Sequence, residues 1–247
     1  PLTDVTDAPA QRSPTTDSKH KKLEGDQLKH SDITGNTLYL VANLDNISGI
    51  STLNELKAAT INKDKAATFN PKAQQTSFVM DAKMLERKVT AGKIHLKFQL
   101  KRALAKIRLN VKDASGNTVD PTEYACQLIH YAADGSILAE GTSTNNALNT
   151  EAAASSKVIA PDVTQDNKAV FYSYANNWID KSKNPKVEEP IDVNKQTYIL
   201  LKAKFNNKDY FYKVPVNKRL YEGNDATTTD WANYEPLYRL DRNTIYD

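Results

Sequence analysis

Apolar and polar residues alternate with a period of two along most of this chain, the signature of strands with one buried face. The alternation is clearest from Ile94 to Val111. There Ile94, Leu96, Phe98 and Leu100 are apolar, with His95, Lys97, Gln99 and Lys101 between them. After Lys101-Arg102 the phase flips, and Ala103, Ala105, Ile107, Leu109 and Val111 become the apolar set. A one-residue change of phase moves the buried face to the other side of the ribbon. It predicts two strands serving two different cores, joined by a bulge or a crossing near Arg102. A domain boundary is therefore placed here, with an N-terminal β-sandwich over 1–100, which reads as incomplete, and a C-terminal β-sandwich over 101–247.

Upstream of the flip, Thr37 to Leu44 reads as a strand, with Leu38, Leu40 and Ala42 on one side and Tyr39, Val41 and Asn43 on the other. STLNELKAAT reads as the one convincing helix. Thr52 and Glu55 have capping-box spacing, and Leu53 and Leu56 give it an apolar edge. TSFVMDAK and ERKVTAGKI read as short strands or turns, and 1–36 as mostly loop. Downstream the pattern is β throughout. DASGNT is a hairpin turn after IRLNVK, and YACQLIHYA is a half-buried strand that runs into the turn ADGS. STNNALNTEAAASS is a polar surface loop, and AVFYSYANNW is an aromatic strand. QTYILLKAKF, NNKD and YFYKVPV make the strongest hairpin. Its first strand puts Ile199, Leu201, Ala203 and Phe205 on one face, and its second does the same with Tyr210, Tyr212, Val214 and Val216. Short strands separated by turn signals predict a mainly β protein of the sandwich or barrel type.

Bulk composition narrows the picture a little. The chain has 247 residues, with 33 basic and 30 acidic side chains and a net charge of +3. So even a balance argues against a nucleic-acid partner. Cys126 is the single cysteine, which rules out an internal disulfide and reads as a buried, inert thiol. No run approaches the roughly 18 apolar residues of a membrane helix, and no charged-then-apolar signal opens the chain.

Candidate chemistry is sparse. His20, His30, His95 and His130 lie far apart, and none has a second ligand at metal-binding spacing. No G-x-S-x-G, P-loop or dinucleotide fingerprint occurs, and glycines total eight. Cys126 and His130 would share a strand face, and ordinary strand neighbours account for them better than a catalytic pair. Asp113, Asn117 and Asp120 surround a turn that could present oxygens to Ca²⁺, but Asx-turn geometry explains them without a metal. No catalytic, cofactor-binding or metal-binding residue is assigned, no cofactor is expected, and the reading is of a protein that is not an enzyme. An alternative reading takes Tyr172, Tyr174 and Trp178 as a sugar-stacking platform on a secreted or surface glycan-binding β-sandwich.

Five segments, in order, resemble the bacteroidal fimbrillins, subunits of protease-assembled (type V) pili. They are LYLVANL at 38–44, TLNELKA at 52–58, LKRALAKIRLNV at 100–111, YSYANNW at 172–178 and LDRNTIYD at 240–247. The resemblance implies two tandem transthyretin-like Greek-key β-sandwich domains, with one short helix in the N-terminal domain. It implies a major or minor fimbrial subunit, exported through the outer membrane as a lipoprotein precursor. The subunit would be processed by an arginine-specific surface protease and joined to other fimbrial subunits at the cell surface by a donated strand. A host protein or glycan receptor is a further implied partner. Arg12 is the one arginine that could stand for the processing position. Arg242, Asn243, Tyr246 and Asp247 would begin the polymerisation-linked C-terminal segment. The family continues past this Tyr-Asp pair, so the mobile polymerisation segment is expected beyond Asp247.

Overall fold

A computed structural model of the chain describes residues 33–44, 49–61, 78–90, 93–120, 123–142, 148, 169–183, 188–218 and 237–247. The first strand, β1 (Tyr39–Ala42), lies antiparallel to β3 (Met80–Thr90), with Tyr39 opposite Lys83. On its other side β3 pairs with β4 (Lys93–Phe98) and then with β5 (Lys101–Arg102). The segments expected to be short strands or turns are thus one long ribbon. β3 runs for 11 residues, with a register shift between Met84 and Glu86. Between β1 and β3 come a helix, α1 (Leu53–Ala58), and β2 (Thr60–Ile61), which pairs with β8 (Gly135–Ser136).

The helix forms where the spacing predicts. Thr52 Oγ1 accepts from the Glu55 N–H at 3.2 Å, and the Glu55 carboxylate accepts from the N–H groups of Thr52 (2.9 Å) and Ser51 (2.7 Å). Those backbone bonds, Ser51's first, hold the Glu55 carboxyl below its ordinary pKa. Only Leu56 of the expected apolar edge is buried; Leu53 is exposed.

The remaining strands belong to the second half. β6 (Leu104–Leu109) pairs antiparallel with β9 (Ala169–Tyr174) and parallel with β14 (Ile245–Tyr246). β11 (Tyr198–Phe205) lies between β7 (Tyr124–Ile129) and β12 (Lys208–Pro215). β10 (Asn176–Asn177) pairs with β13 (Arg239–Leu240). The protein is mainly β, with several antiparallel sheets and one short helix among the described residues.

The phase flip marks a change of sheet. β5 still pairs with β3, the Ala103 N–H donates to the Val79 carbonyl at 2.8 Å, and from Leu104 onward the chain pairs with β9. Beyond that point β9 is buried on both faces along its whole length, and β6 is buried on both faces at Leu104 and Ala105. Ala105, Ile107, Ala169 and Phe171 point into one core, with Cys126, Trp178, Ile199 and Leu240. Leu104, Val170, Tyr172 and Tyr174 point into another, with Leu56, Ile61, Ala132, Ile137 and Leu138. Each such buried large side chain contributes about 1.5–3 kcal/mol, so the two faces of β6 and β9 carry much of the molecule's stability. The second core draws residues from both sides of position 100, including Tyr39 and Val41 of β1 at its margin.

Candidate assembly surfaces

The C-terminal segment singled out in the sequence is held firmly. Arg242 reaches across the molecule, and its Nη2 lies 2.6 Å from Asp81 Oδ1. Both side chains are largely buried, at 17% and 6% exposure. The same guanidinium donates to the carbonyls of Arg102 (3.3 Å) and Ile137 (3.4 Å), while Asp81 Oδ2 accepts from the Ala139 N–H at 2.8 Å. Burial pulls the Arg242 pKa down and Asp81 opposes that pull. Asn243 sits in the left-handed region, with φ of 60°. From there its N–H donates to the Leu104 carbonyl at 3.0 Å, and its Oδ1 accepts from the Arg102 N–H at 3.2 Å. The Arg-Asn pair thus grips the junction between β5 and β6 from one side while Asp81 of β3 anchors it from the other.

Tyr246 and Asp247 finish the segment. Tyr246 lies opposite Ile107 in the parallel pairing, and its hydroxyl accepts from the Asp241 N–H at 2.8 Å. Burial pushes its phenol up. The Asp247 carboxylate takes two bonds from the Arg108 guanidinium, one of them from Nε at 2.6 Å. Arg12 lies outside the described residues.

Two other motif asparagines act in similar ways. Asn43, with φ of 59°, donates from Nδ2 to the Phe78 carbonyl at 2.8 Å. Asn176 is buried, and its amide donates to the Lys195 carbonyl and Thr197 Oγ1, both at 2.9 Å, and to the His130 carbonyl at 3.3 Å. Nothing in the sequence marks these contacts, because the partners lie up to 46 positions away.

On the N-terminal ribbon one long stretch of a β3 edge has no strand partner among the described residues. β1 covers β3 from Met80 to Lys83, and the Met84 N–H donates to the Leu38 carbonyl at 2.9 Å. Among the described residues no strand pairs with that edge from Leu85 to Thr90. Arg87 Nη1 donates to the carbonyl of Ile33 nearby. One face of the ribbon is apolar except for Arg87, with Val89 opposite Ile94, Leu96 opposite Arg87 and Phe98 opposite Met84. Val89 is 61% exposed, as is Leu85.

The aromatic platform is overturned. Tyr172 and Tyr174 are each 2% exposed and Trp178 is 0% exposed, so all three rings lie inside the cores and offer no face to a sugar. His20 and His30 lie outside the described residues. Cys126 is buried in the first core. His130, with φ of 54°, turns its ring to the Gln196 carbonyl (3.1 Å) and packs edge-on against Tyr198. Asp113 caps its own turn, accepting from the N–H groups of Ser115 (2.9 Å) and Asn117 (2.8 Å), and no metal-binding cluster occurs among the described residues. The Asn117 amide and these backbone bonds hold the Asp113 carboxyl below its usual range. No protein-family model, curated protein or solved structure matches the chain.

Proposed function

We propose that this protein is a structural subunit of a bacterial surface fimbria. In this reading it is built from two tandem transthyretin-like Greek-key sandwiches, over 1–100 and 101–247, and is exported through the outer membrane as a lipoprotein precursor. An arginine-specific protease processes it at Arg12, and subunits then polymerise by exchange of an extended strand. The observation that carries the reading is the edge of β3 from Leu85 to Thr90, which no strand pairs with among the described residues, beside the apolar side chains of Val89, Ile94, Leu96 and Phe98. An edge of unpaired N–H and C=O groups next to apolar side chains is a template for one more strand. An extended segment from a neighbour would satisfy the backbone groups and cover the side chains together, as in β-augmentation. The ordered motifs at 38–44, 52–58, 100–111, 172–178 and 240–247 add support from the sequence.

The test is assembly in solution. The full precursor, treated with an arginine-specific protease in the presence of partner subunits, is expected to form ladders that resist SDS. Replacing Val89 and Ile94 together by Asp should stop the ladder at the monomer without unfolding the C-terminal sheets. Processed chains that stay monomeric with every partner, or a Val89→Asp/Ile94→Asp chain that still polymerises, would sink the reading.

A further inference from the structure

A second edge, on a different sheet, carries its own pattern. β12 forms the outer strand of the β12–β11–β7 sheet. Among the described residues, the exposed aromatic side chains are three consecutive positions on this strand, Tyr210 at 41%, Phe211 at 43% and Tyr212 at 52%. A charge flanks them on each side, Asp209 before and Lys213 after. Read outward from Phe211, the five residues Asp-Tyr-Phe-Tyr-Lys place an acid and a base at matching distances. Such a segment is complementary to itself when two copies run antiparallel.

We infer that β12 is a homotypic docking edge, through which two copies of this chain pair antiparallel about a two-fold axis at Phe211. In that register Asp209 of each copy lies opposite Lys213 of the other, Tyr210 lies opposite Tyr212, and the two Phe211 rings meet across the axis. Opposite charges and aromatic pairs directly across an antiparallel ladder are stabilising cross-strand partners. Neighbouring registers lose the match. Sliding by two residues one way sets Asp209 against Phe211 and Lys213 against Asn207. Sliding the other way sets Lys213 against Phe211 and Asp209 against Pro215. A parallel arrangement sets like charges side by side. The limits of the strand fit the same register, because the turn at Asn206-Asn207 falls opposite Pro215, which has no N–H to offer. Both charges are placed to take part. Asp209 is 44% exposed beside Lys202 at 2.8 Å, and Lys213 is exposed over the Tyr198 ring at 4.4 Å. The product is a continuous sheet of six strands with isologous contacts, the usual symmetry of a dimer.

This surface is separate from the β3 edge and needs neither protease nor partner subunits, so either proposal can fail alone. The experiment is sedimentation of the full chain over a wide range of concentration. An edge this short gives a weak contact, so the chain should be monomeric at about 1 µM and dimeric at about 1 mM. Asp209→Lys and Lys213→Asp should each abolish the dimer, since each leaves like charges facing across the axis. Mixing the two variants should restore a 1:1 heterodimer, because one chain then brings two cations and the other two anions. Hydrogen exchange on the unsubstituted chain gives a check that needs no variant: the amides of β12 should gain protection as concentration rises. The inference is overturned by a chain that stays monomeric throughout, by single variants that dimerise like the parent, by a mixture that remains monomeric, or by unchanged β12 exchange.

Discussion

At the scale of single residues, the positions that look most like surface turn out to hold the molecule together. Arg242 and Asp81 are 161 positions apart and both ionisable, so nothing local announces that they meet. Removing one member of a buried pair strands the other charge, and Arg242→Met should lower stability by about 3–5 kcal/mol, measured by urea denaturation. Lys83 offers the contrast. It bonds the Glu140 carboxylate at 2.8 Å, with Tyr39 donating to the same carboxylate at 2.9 Å, but Lys83 and Glu140 are both well exposed. Lys83→Met should leave the urea midpoint where it was. Asparagine has a particular use here. Five of the seven described non-glycine residues in the left-handed region are Asn43, Asn206, Asn207, Asn217 and Asn243. Asparagine enters that region at lower cost than other side chains, and its amide can then bond backbone nearby. The sequence motifs at Asn43 and Asn243 were visible as letters, but the reason for those letters, a twisted backbone bonded to a distant strand, was not.

At the scale of elements, what could be read depended on whether a strand lies over a core. The β11–β12 hairpin was legible in its faces, although Lys208 and Asp209, read as part of the turn NNKD, belong to β12. Ile199 faces Val214, Leu201 faces Tyr212 and Ala203 faces Tyr210, the faces that period-two reading assigns. Its Asn206-Asn207 turn has positive φ at both positions, as a tight hairpin turn requires. Asn207→Gly should therefore be tolerated, while Asn207→Val should cost about 1–2 kcal/mol in a thermal or urea melt. The capping box of α1 was legible because it is local, and Thr52→Ala should cost about 0.5–2 kcal/mol in the same measurement. β3 was read as fragments for the opposite reason. Beyond Met84 it projects past both cores, so Glu86, Arg87 and Lys88 interrupt the alternation and leave no clean period to follow. The edge of that ribbon left without a strand partner among the described residues was likewise invisible, because an unpaired edge differs from a paired one in its neighbours and not in its letters.

At the scale of the whole molecule, the two cores are linked through β6 and β9. Each core also contains a phenol that burial drives upward: Tyr124 in the first, pushed up to about 12, and Tyr174 in the second, pushed up as well. A group whose pKa is raised by folding contributes stability that is complete below its unfolded pKa, near 10.0, and is lost as pH rises through the folded value. Alkali above pH 10 should therefore destabilise both cores. Because they share strands, the loss of far-UV ellipticity and the appearance of the buried phenolates should coincide in one transition. Two separated steps would show that the cores melt independently. The two-sided strands also set how freely the gene can vary. An ordinary sheet strand gives evolution every second position to alter, whereas Leu104 and Ala105 in β6, and all six positions from Ala169 to Tyr174 in β9, are enclosed. A saturation library should find β9 the least permissive stretch of the chain, intolerant of polar replacement at odd and even sites alike.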